Sequence, residues 1–172
     1  MKVILSMAVS INGFIADENG SEDFLSHENW IAFIKLAKRT GNNIWGRKTY
    51  EVVKTWQKNY LDDLKNVNKV VISTDKDIQL LSDFTLVNSP KMAIDYLSKQ
   101  GYMEILVTGG SSIYSTFLRE KLVDEIIFDI DPTLISRGIR GFVFDGLPIT
   151  LELLDIEKLP EGIVELHYRV NK

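Results

Sequence analysis

The stretch Glu104-Ile-Leu-Val-Thr-Gly-Gly-Ser-Ser-Ile-Tyr-Ser-Thr-Phe-Leu118 most limits what this chain can become. Ile105, Leu106 and Val107 form a short apolar run of strand length. Gly109 and Gly110 break it, and Ile113, Tyr114, Phe117 and Leu118 then recur at helical spacing. Glycine lets another molecule approach the backbone closely. The first N–H groups of the helix have no intrahelical partner and lie at the positive end of its dipole, an arrangement that suits a phosphate. Taken alone, the segment leaves two readings open, a tight turn and an anion site. It is neither the three-glycine dinucleotide fingerprint nor the lysine-bearing phosphate loop.

The rest of the chain repeats this strand-to-helix alternation. Val3 to Val9 is an apolar run that reads as a central strand covered on both faces. Ser10-Ile-Asn-Gly13 breaks it, and Phe14 to Ala16 continues extended. Ser26 is placed to cap a helix from His27 to Thr40, with Trp30, Phe33, Ile34 and Ala37 inward and Gly41 as its stop. Asn43 to Trp45 is a short strand, followed by a helix with Tyr50, Val53 and Trp56 inward. Lys69 to Ser73 and Phe84 to Val87 read as strands. Ser89-Pro90 opens a helix that buries Ala93, Ile94 and Leu97 and ends at Gly101. Glu125 to Ile130 is a strand, and Pro132 to Phe144 reads as an irregular loop.

The C-terminal part has a different period. Val164, Leu166, Tyr168 and Val170 alternate with polar residues, as in a half-exposed antiparallel strand. It pairs with Leu151–Lys158 across Leu159-Pro-Glu-Gly162, and the slip at Leu153-Leu154 predicts a bulge. The fold class is therefore α/β: a mostly parallel central sheet with an antiparallel C-terminal hairpin. Ligands of such sheets bind beyond the carboxyl ends of the strands.

Composition narrows the function. A length of 172 residues suits one domain spanning 1–172. A net charge of −4 gives no basic footprint for nucleic acid or an anionic membrane. The absence of cysteine removes thiol chemistry and disulfides and fits the cytoplasm. His27 and His167 lie far apart in sequence, so no metal site is expected. The apolar run before Ser10 is too brief for a signal peptide, and no stretch reaches the length of a membrane span.

Three segments that follow strands carry phosphate chemistry. Arg47 offers a planar fork of donors, with Lys48 and Thr49 beside it. Ser73 and Thr74 add hydroxyls, and Thr108-Gly-Gly-Ser-Ser112 allows close approach. Three such loops on one sheet edge point to a ligand with several phosphates, such as a dinucleotide.

Trp45-Gly-Arg-Lys-Thr-Tyr-Glu51, Val71-Ile-Ser-Thr74 and Val107-Thr-Gly-Gly-Ser-Ser-Ile-Tyr114 resemble, in order and spacing, the cofactor segments of the dihydrofolate reductase superfamily. Ser10-Ile-Asn-Gly-Phe-Ile-Ala16, Gly20-Ser-Glu-Asp-Phe24 and the Pro132–Phe142 segment resemble its branch that contains the reductase domain of bacterial riboflavin biosynthesis. The resemblance implies a dihydrofolate reductase-like three-layer α/β/α fold, NADPH as hydride donor, and a homodimer. It places Gly46, Arg47, Lys48 and Thr49 at the bridging and 2′-phosphates and Ser73 and Thr74 under the adenosine phosphate. Thr108 lies in the same glycine segment. Gly109 and Gly110 face the cofactor across a bond that is cis in the family. Ser111, Ser112 and Ile113 lie at the pyrophosphate, Tyr114 flanks the nicotinamide, and Ala8 and Ile15 pack on its ring.

Trp30 stands where dihydrofolate reductases carry a helix carboxylate, Ser112 where many of them have an arginine, and Asn12 where the branch has an aspartate. Asp23 is the candidate proton donor and Asn12 the candidate partner of a substrate amide. The reading is an NADPH-dependent reductase of a pteridine- or pyrimidine-like heterocycle. The 5-amino-6-(5-phosphoribosylamino)uracil reductase of riboflavin biosynthesis is its model. Dihydrofolate reduction and NADPH binding without catalysis are the alternatives.

Overall fold

In the computed structural model, which describes residues 1–143, 146 and 148–172, the Val3–Val9 run lies at the centre of the sheet. This strand, β1 (Lys2–Ser10), pairs in parallel with β6 (Glu104–Val107) on one side and β7 (Glu125–Asp131) on the other. Beyond β6 follow β3 (Asn42–Gly46), β4 (Asn68–Ile72) and β5 (Phe84–Val87), all parallel. Beyond β7 come the antiparallel β10 (Val164–Val170) and β9 (Leu151–Lys158), giving the eight-stranded order β5-β4-β3-β6-β1-β7-β10-β9. The pairing of β9 with β10 slips between His167 and Tyr168, where Leu154 is passed over, so the bulge falls at the expected dipeptide.

Side chains alternate across a strand, and the two faces of the sheet carry separate cores. On one face Val3, Leu5, Ile105, Val107 and Ile126 pack with α4 (Pro90–Lys99) and α5 (Ser111–Arg119) through Ala93, Leu97 and Phe117. On the other, Ile4, Trp45, Val71, Leu106 and Ile127 pack with α1 (His27–Thr40) and α2 (Arg47–Val53) through Ala37, Tyr50 and Val53. The layers are α/β/α. Gly41 ends α1 at φ 71°, the left-handed conformation that favours glycine at this position. Ser89 caps α4 by accepting from the Met92 N–H at 3.3 Å, ahead of Pro90.

Four details depart from the sequence reading. Ser26 occupies the N-cap of α1 but makes no side-chain capping bond. α2 ends at Val53, before Trp56, and a further helix, α3 (Lys58–Asp63), follows it. The segment read as an irregular loop contains β8 (Gly138–Arg140), which pairs with β2 (Phe14–Asp17) as a second, two-stranded sheet. The expected end of that loop, Phe144, lies outside the described residues.

Candidate active-site cleft

The carboxyl ends of β1, β3, β4 and β6 open into a cleft of about 1310 Å³. Gly46 ends β3 and begins α2, and its N–H donates to the Gly109 carbonyl at 2.6 Å. A Cβ on Gly46 would lie 2.5 Å from Ile113 Cγ1. The two strand-to-helix turns are thus pressed together, and glycine is required here by space. The Gly109–Gly110 peptide bond is cis, and Gly109 has φ 145°. Cβ atoms at Gly109 and Gly110 would come within 3.2 and 3.0 Å of Thr49 Oγ1. Thr108 Oγ1 donates to Asn43 Oδ1 at 2.9 Å, which ties the strand end before the glycines to β3.

All the residues expected at the cofactor line this one cleft: Ala8, Ile15, Gly46 to Thr49, Ser73, Thr74 and Thr108 to Tyr114. No side chain caps the start of α5, so its dipole faces the cleft without a competing acceptor there. Arg47, Lys48 and Arg119 bring positive charge to the same walls. This donor set and the side-chain-free glycine surface fit an elongated, phosphate-bearing molecule such as a dinucleotide.

The two residues expected to carry the chemistry are not brought there. Asn12 is exposed; its amide donates to the Ile135 carbonyl at 2.7 Å and accepts from the Ile135 N–H at 3.2 Å and from Ser10 Oγ at 2.9 Å. These bonds tie the turn after β1 to the segment before β8 and leave the amide outside the cleft. Asp23 is exposed and also lies off the cleft walls. Its neighbour Glu22 lines the cleft instead. Glu22 is solvent-exposed like Asp23, and the partial loss of water among the cleft's side chains pushes its carboxyl up to about 6.

Asp129 is a second cleft acid that sequence reasoning missed. It is 4% exposed, stands at mid-length in β7, and its Oδ1 has no hydrogen-bond partner among the described residues. Burial, reinforced by Glu165 opposite it on β10, pushes Asp129 up to about 7. Tyr114 is fully buried, donates its hydroxyl to the Ser6 carbonyl at 2.7 Å, and is pushed well above its ordinary value by burial and then by the charges of Glu22 and Asp129. The available signal was the Phe128-Asp-Ile-Asp131 run, which sets two acids two residues apart on one face of a buried strand.

An aromatic cluster lines the same cleft. Trp30 packs on Phe33, Trp56 and Tyr60 with ring centroids 4.9–5.2 Å apart, and its indole N–H donates to Asp63 at 3.2 Å. Trp30 gives this cluster a flat apolar surface on the cleft. Among the described residues no group of three or more His, Asp or Glu side chains is placed to hold a metal ion, and no helix is long and apolar enough to cross a membrane.

Comparison with known proteins agrees with this architecture. The model of the RibD C-terminal domain matches residues 1–165. The Bacillus subtilis (strain 168) protein YyaP is 25% identical over 179 residues, covering 99% of this chain and 95% of YyaP. Acinetobacter baumannii RibD superposes with a TM-score of 0.81 at 19% identity, over 99% of this chain and 58% of that one. Enterococcus faecalis dihydrofolate reductase, complexed with NADP(H) and RAB-propyl, superposes with a TM-score of 0.71 at 17% identity, over 99% of this chain and 97% of that one. The fold is dihydrofolate reductase-like.

Proposed function

The chain belongs to the RibD C-terminal domain family, and from that premise we propose that it is, as one domain, an NADPH-dependent reductase of a small heterocycle of pyrimidine or pteridine type. The model reaction is the 5-amino-6-(5-phosphoribosylamino)uracil reduction of riboflavin biosynthesis. The carrying observation is the polarity of the cleft, with Arg47, Lys48 and the uncapped start of α5 on its walls and Glu22, Asp129 and Trp30 on the same cavity. NADP(H) in the similarly folded E. faecalis enzyme supports the choice of cofactor.

When bound, NADPH supplies a hydride; the protein supplies position, exclusion of water and a proton. Arg47 and Lys48 hold the phosphates, and the Gly109–Gly110 surface seats the pyrophosphate region. Ala8 and Ile15 offer an apolar seat to the nicotinamide. Glu22 and Asp129 replace Asp23 as the groups that hold a proton near neutral pH, because their carboxyls titrate at about 6 and about 7. The exposed row Leu153, Leu154 and Ile156 on the outer strand β9 supports the homodimer, and sedimentation velocity of the pure protein tests it. The lack of cysteine favours the cytoplasm.

The direct test follows NADPH absorbance while the protein is offered the aminouracil ribose-phosphate, dihydrofolate and related heterocycles. Turnover of the aminouracil ribose-phosphate, or of a pteridine other than dihydrofolate, supports the proposal. Turnover of dihydrofolate alone makes the protein a dihydrofolate reductase. Tight NADPH binding with no turnover of any of them makes it a binding protein and overturns the reductase assignment.

A further inference from the structure

Two asparagines of the chain precede a glycine, Asn12-Gly13 and Asn19-Gly20. Both dipeptides sit in the same kind of turn. In Ser10-Ile-Asn-Gly13 the Gly13 N–H donates to the Ser10 carbonyl at 2.9 Å, and in Asp17-Glu-Asn-Gly20 the Gly20 N–H donates to the Asp17 carbonyl at 3.1 Å. Both glycines have φ 85°, and a Cβ on either would meet nothing within 4 Å. Both asparagines are exposed. The dipeptide, the turn and the space around the glycine are therefore matched.

The side chains are not. Asn12 is held on both sides of its amide: Nδ2 donates to the Ile135 carbonyl at 2.7 Å, and Oδ1 accepts from the Ile135 N–H at 3.2 Å and from Ser10 Oγ at 2.9 Å. The second turn is held by Asp17 instead, whose Oδ1 accepts from the N–H groups of Asn19 and Ser21 at 2.8 and 2.9 Å. The Asn19 side-chain amide makes no hydrogen bond among the described residues. Asn19 lines the cleft together with Glu18 and Glu22.

A carboxamide that can rotate is open to attack by the backbone nitrogen of the next residue, and glycine has no Cβ to obstruct the approach. The Gly20 nitrogen bonds to Asn19 Cγ, the Cγ–Nδ2 bond breaks, and Nδ2 leaves as ammonia with the proton of the Gly20 N–H. Water then opens the cyclic imide. Opening at Cγ gives aspartate; opening at the backbone carbonyl gives isoaspartate, whose main chain runs through the side chain. No electrons change hands, and water is the co-reactant. At Asn12 the same step requires the amide to turn away from Ile135 and its departing nitrogen to give up a carbonyl, so it competes with existing hydrogen bonds.

We propose that Asn19 is a site of spontaneous deamidation that adds a carboxylate to the cleft wall, and that Asn12, in the matching turn, is kept intact by its clasp on Ile135. The chemistry at Asn19 stands by itself. Its consequence for the cleft rests on the reductase reading: a new negative charge facing an anionic dinucleotide, and a shifted main chain ahead of Glu22 in the isoaspartate form.

The test is peptide mapping by mass spectrometry of the full chain held at mildly alkaline pH, folded and in urea, with cleavage after Glu18 to separate the two sites. In the folded protein Asn19 is expected to convert at least about tenfold faster than Asn12. In urea, where the clasp is gone, the two are expected to convert at similar rates. Asn19→Gln is expected to abolish the folded-state conversion at that position. Equal conversion of the two sites in the folded protein, no conversion at Asn19, or a preference for Asn19 that persists undiminished in urea overturns the proposal. Asn19→Asp carries the charge without altering the main chain. It is expected to bind NADPH about two- to threefold more weakly at low salt, with the difference shrinking as salt is added; unchanged affinity at low salt overturns the effect on the cleft. A wild-type NADPH titration separates the claims. Conversion at Asn19 in a protein that does not bind NADPH removes the reductase reading and leaves the modification; normal NADPH binding with no conversion does the reverse.

Discussion

Asp129 on β7 stands directly opposite Glu165 on β10, and Ala8 of β1 pairs with it from the other side. A carboxyl that titrates at about 7 thus lies beside the residue expected to seat the nicotinamide. Its ordinary value is 3.8, so the folded protein holds this proton more tightly than the unfolded chain does. The contribution to stability is whole below about pH 4 and is lost as pH rises to about 7. Asp129→Asn, which cannot ionise, is expected to flatten that slope and to raise the melting temperature at pH 8 by a few degrees. Thermal unfolding from pH 4 to 8 on both proteins measures it.

Glu22, open to the cleft and held up to about 6, is the second proton-bearing group. If it delivers the proton, turnover falls as pH rises above about 6, and Glu22→Gln loses roughly 100-fold in turnover with NADPH affinity retained. Asp23→Asn, one residue along and off the cleft walls, is expected to stay near wild type. The pH–rate profiles of both variants decide between them.

Gly46→Ala is expected to cost about 1–3 kcal/mol, because its methyl meets Ile113 at the junction of two turns and the core there is already filled. The backbone at Gly46 has φ −82°, which alanine adopts freely, so the cost is steric alone. Chemical denaturation measures it, and NADPH affinity is expected to fall with it.

Two serines at helix N-caps differ in whether they make a capping bond. Ser89→Ala is expected to destabilise the protein by about 1 kcal/mol through loss of the bond to the Met92 N–H. Ser26→Ala removes no capping bond and is expected to cost nothing in stability. Paired urea titrations show the difference.

What was legible in the sequence follows from which forces leave a pattern. The alternation of Val164–Val170 set the hairpin partner, and the doubled leucine at 153–154 marked the bulge, because successive strand residues point to opposite faces and an extra residue breaks that period. Gly41 and the Ser89-Pro90 pair announced helix ends through backbone conformation and capping. The strand β8 was missed because three residues carry no period and its partner, β2, lies far away in sequence. Helix α3 is too short for an apolar stripe to show. In the cleft, the loops that follow strands were readable from their glycines and hydroxyls. The acids were not: which of Glu22 and Asp23 lines the cleft depends on a loop without periodicity, and the upward push on Asp129 depends on burial and on Glu165 from a distant strand. Asn12 looked chemical because it is polar at the end of a central strand, yet its amide is consumed by the Ile135 backbone.

The central claim, that this cleft holds NADPH, is tested most directly by titrating the pure protein with NADPH and with NADH and following tryptophan fluorescence, then repeating both on Arg47→Ala. Trp45 and Trp56 line the cleft, so an occupant quenches them. The account predicts micromolar NADPH binding, weaker NADH binding, and a loss of about ten- to hundredfold for NADPH in the variant. Equal affinity for the two dinucleotides would remove the 2′-phosphate role of Arg47, and binding of neither would contradict the cofactor assignment itself.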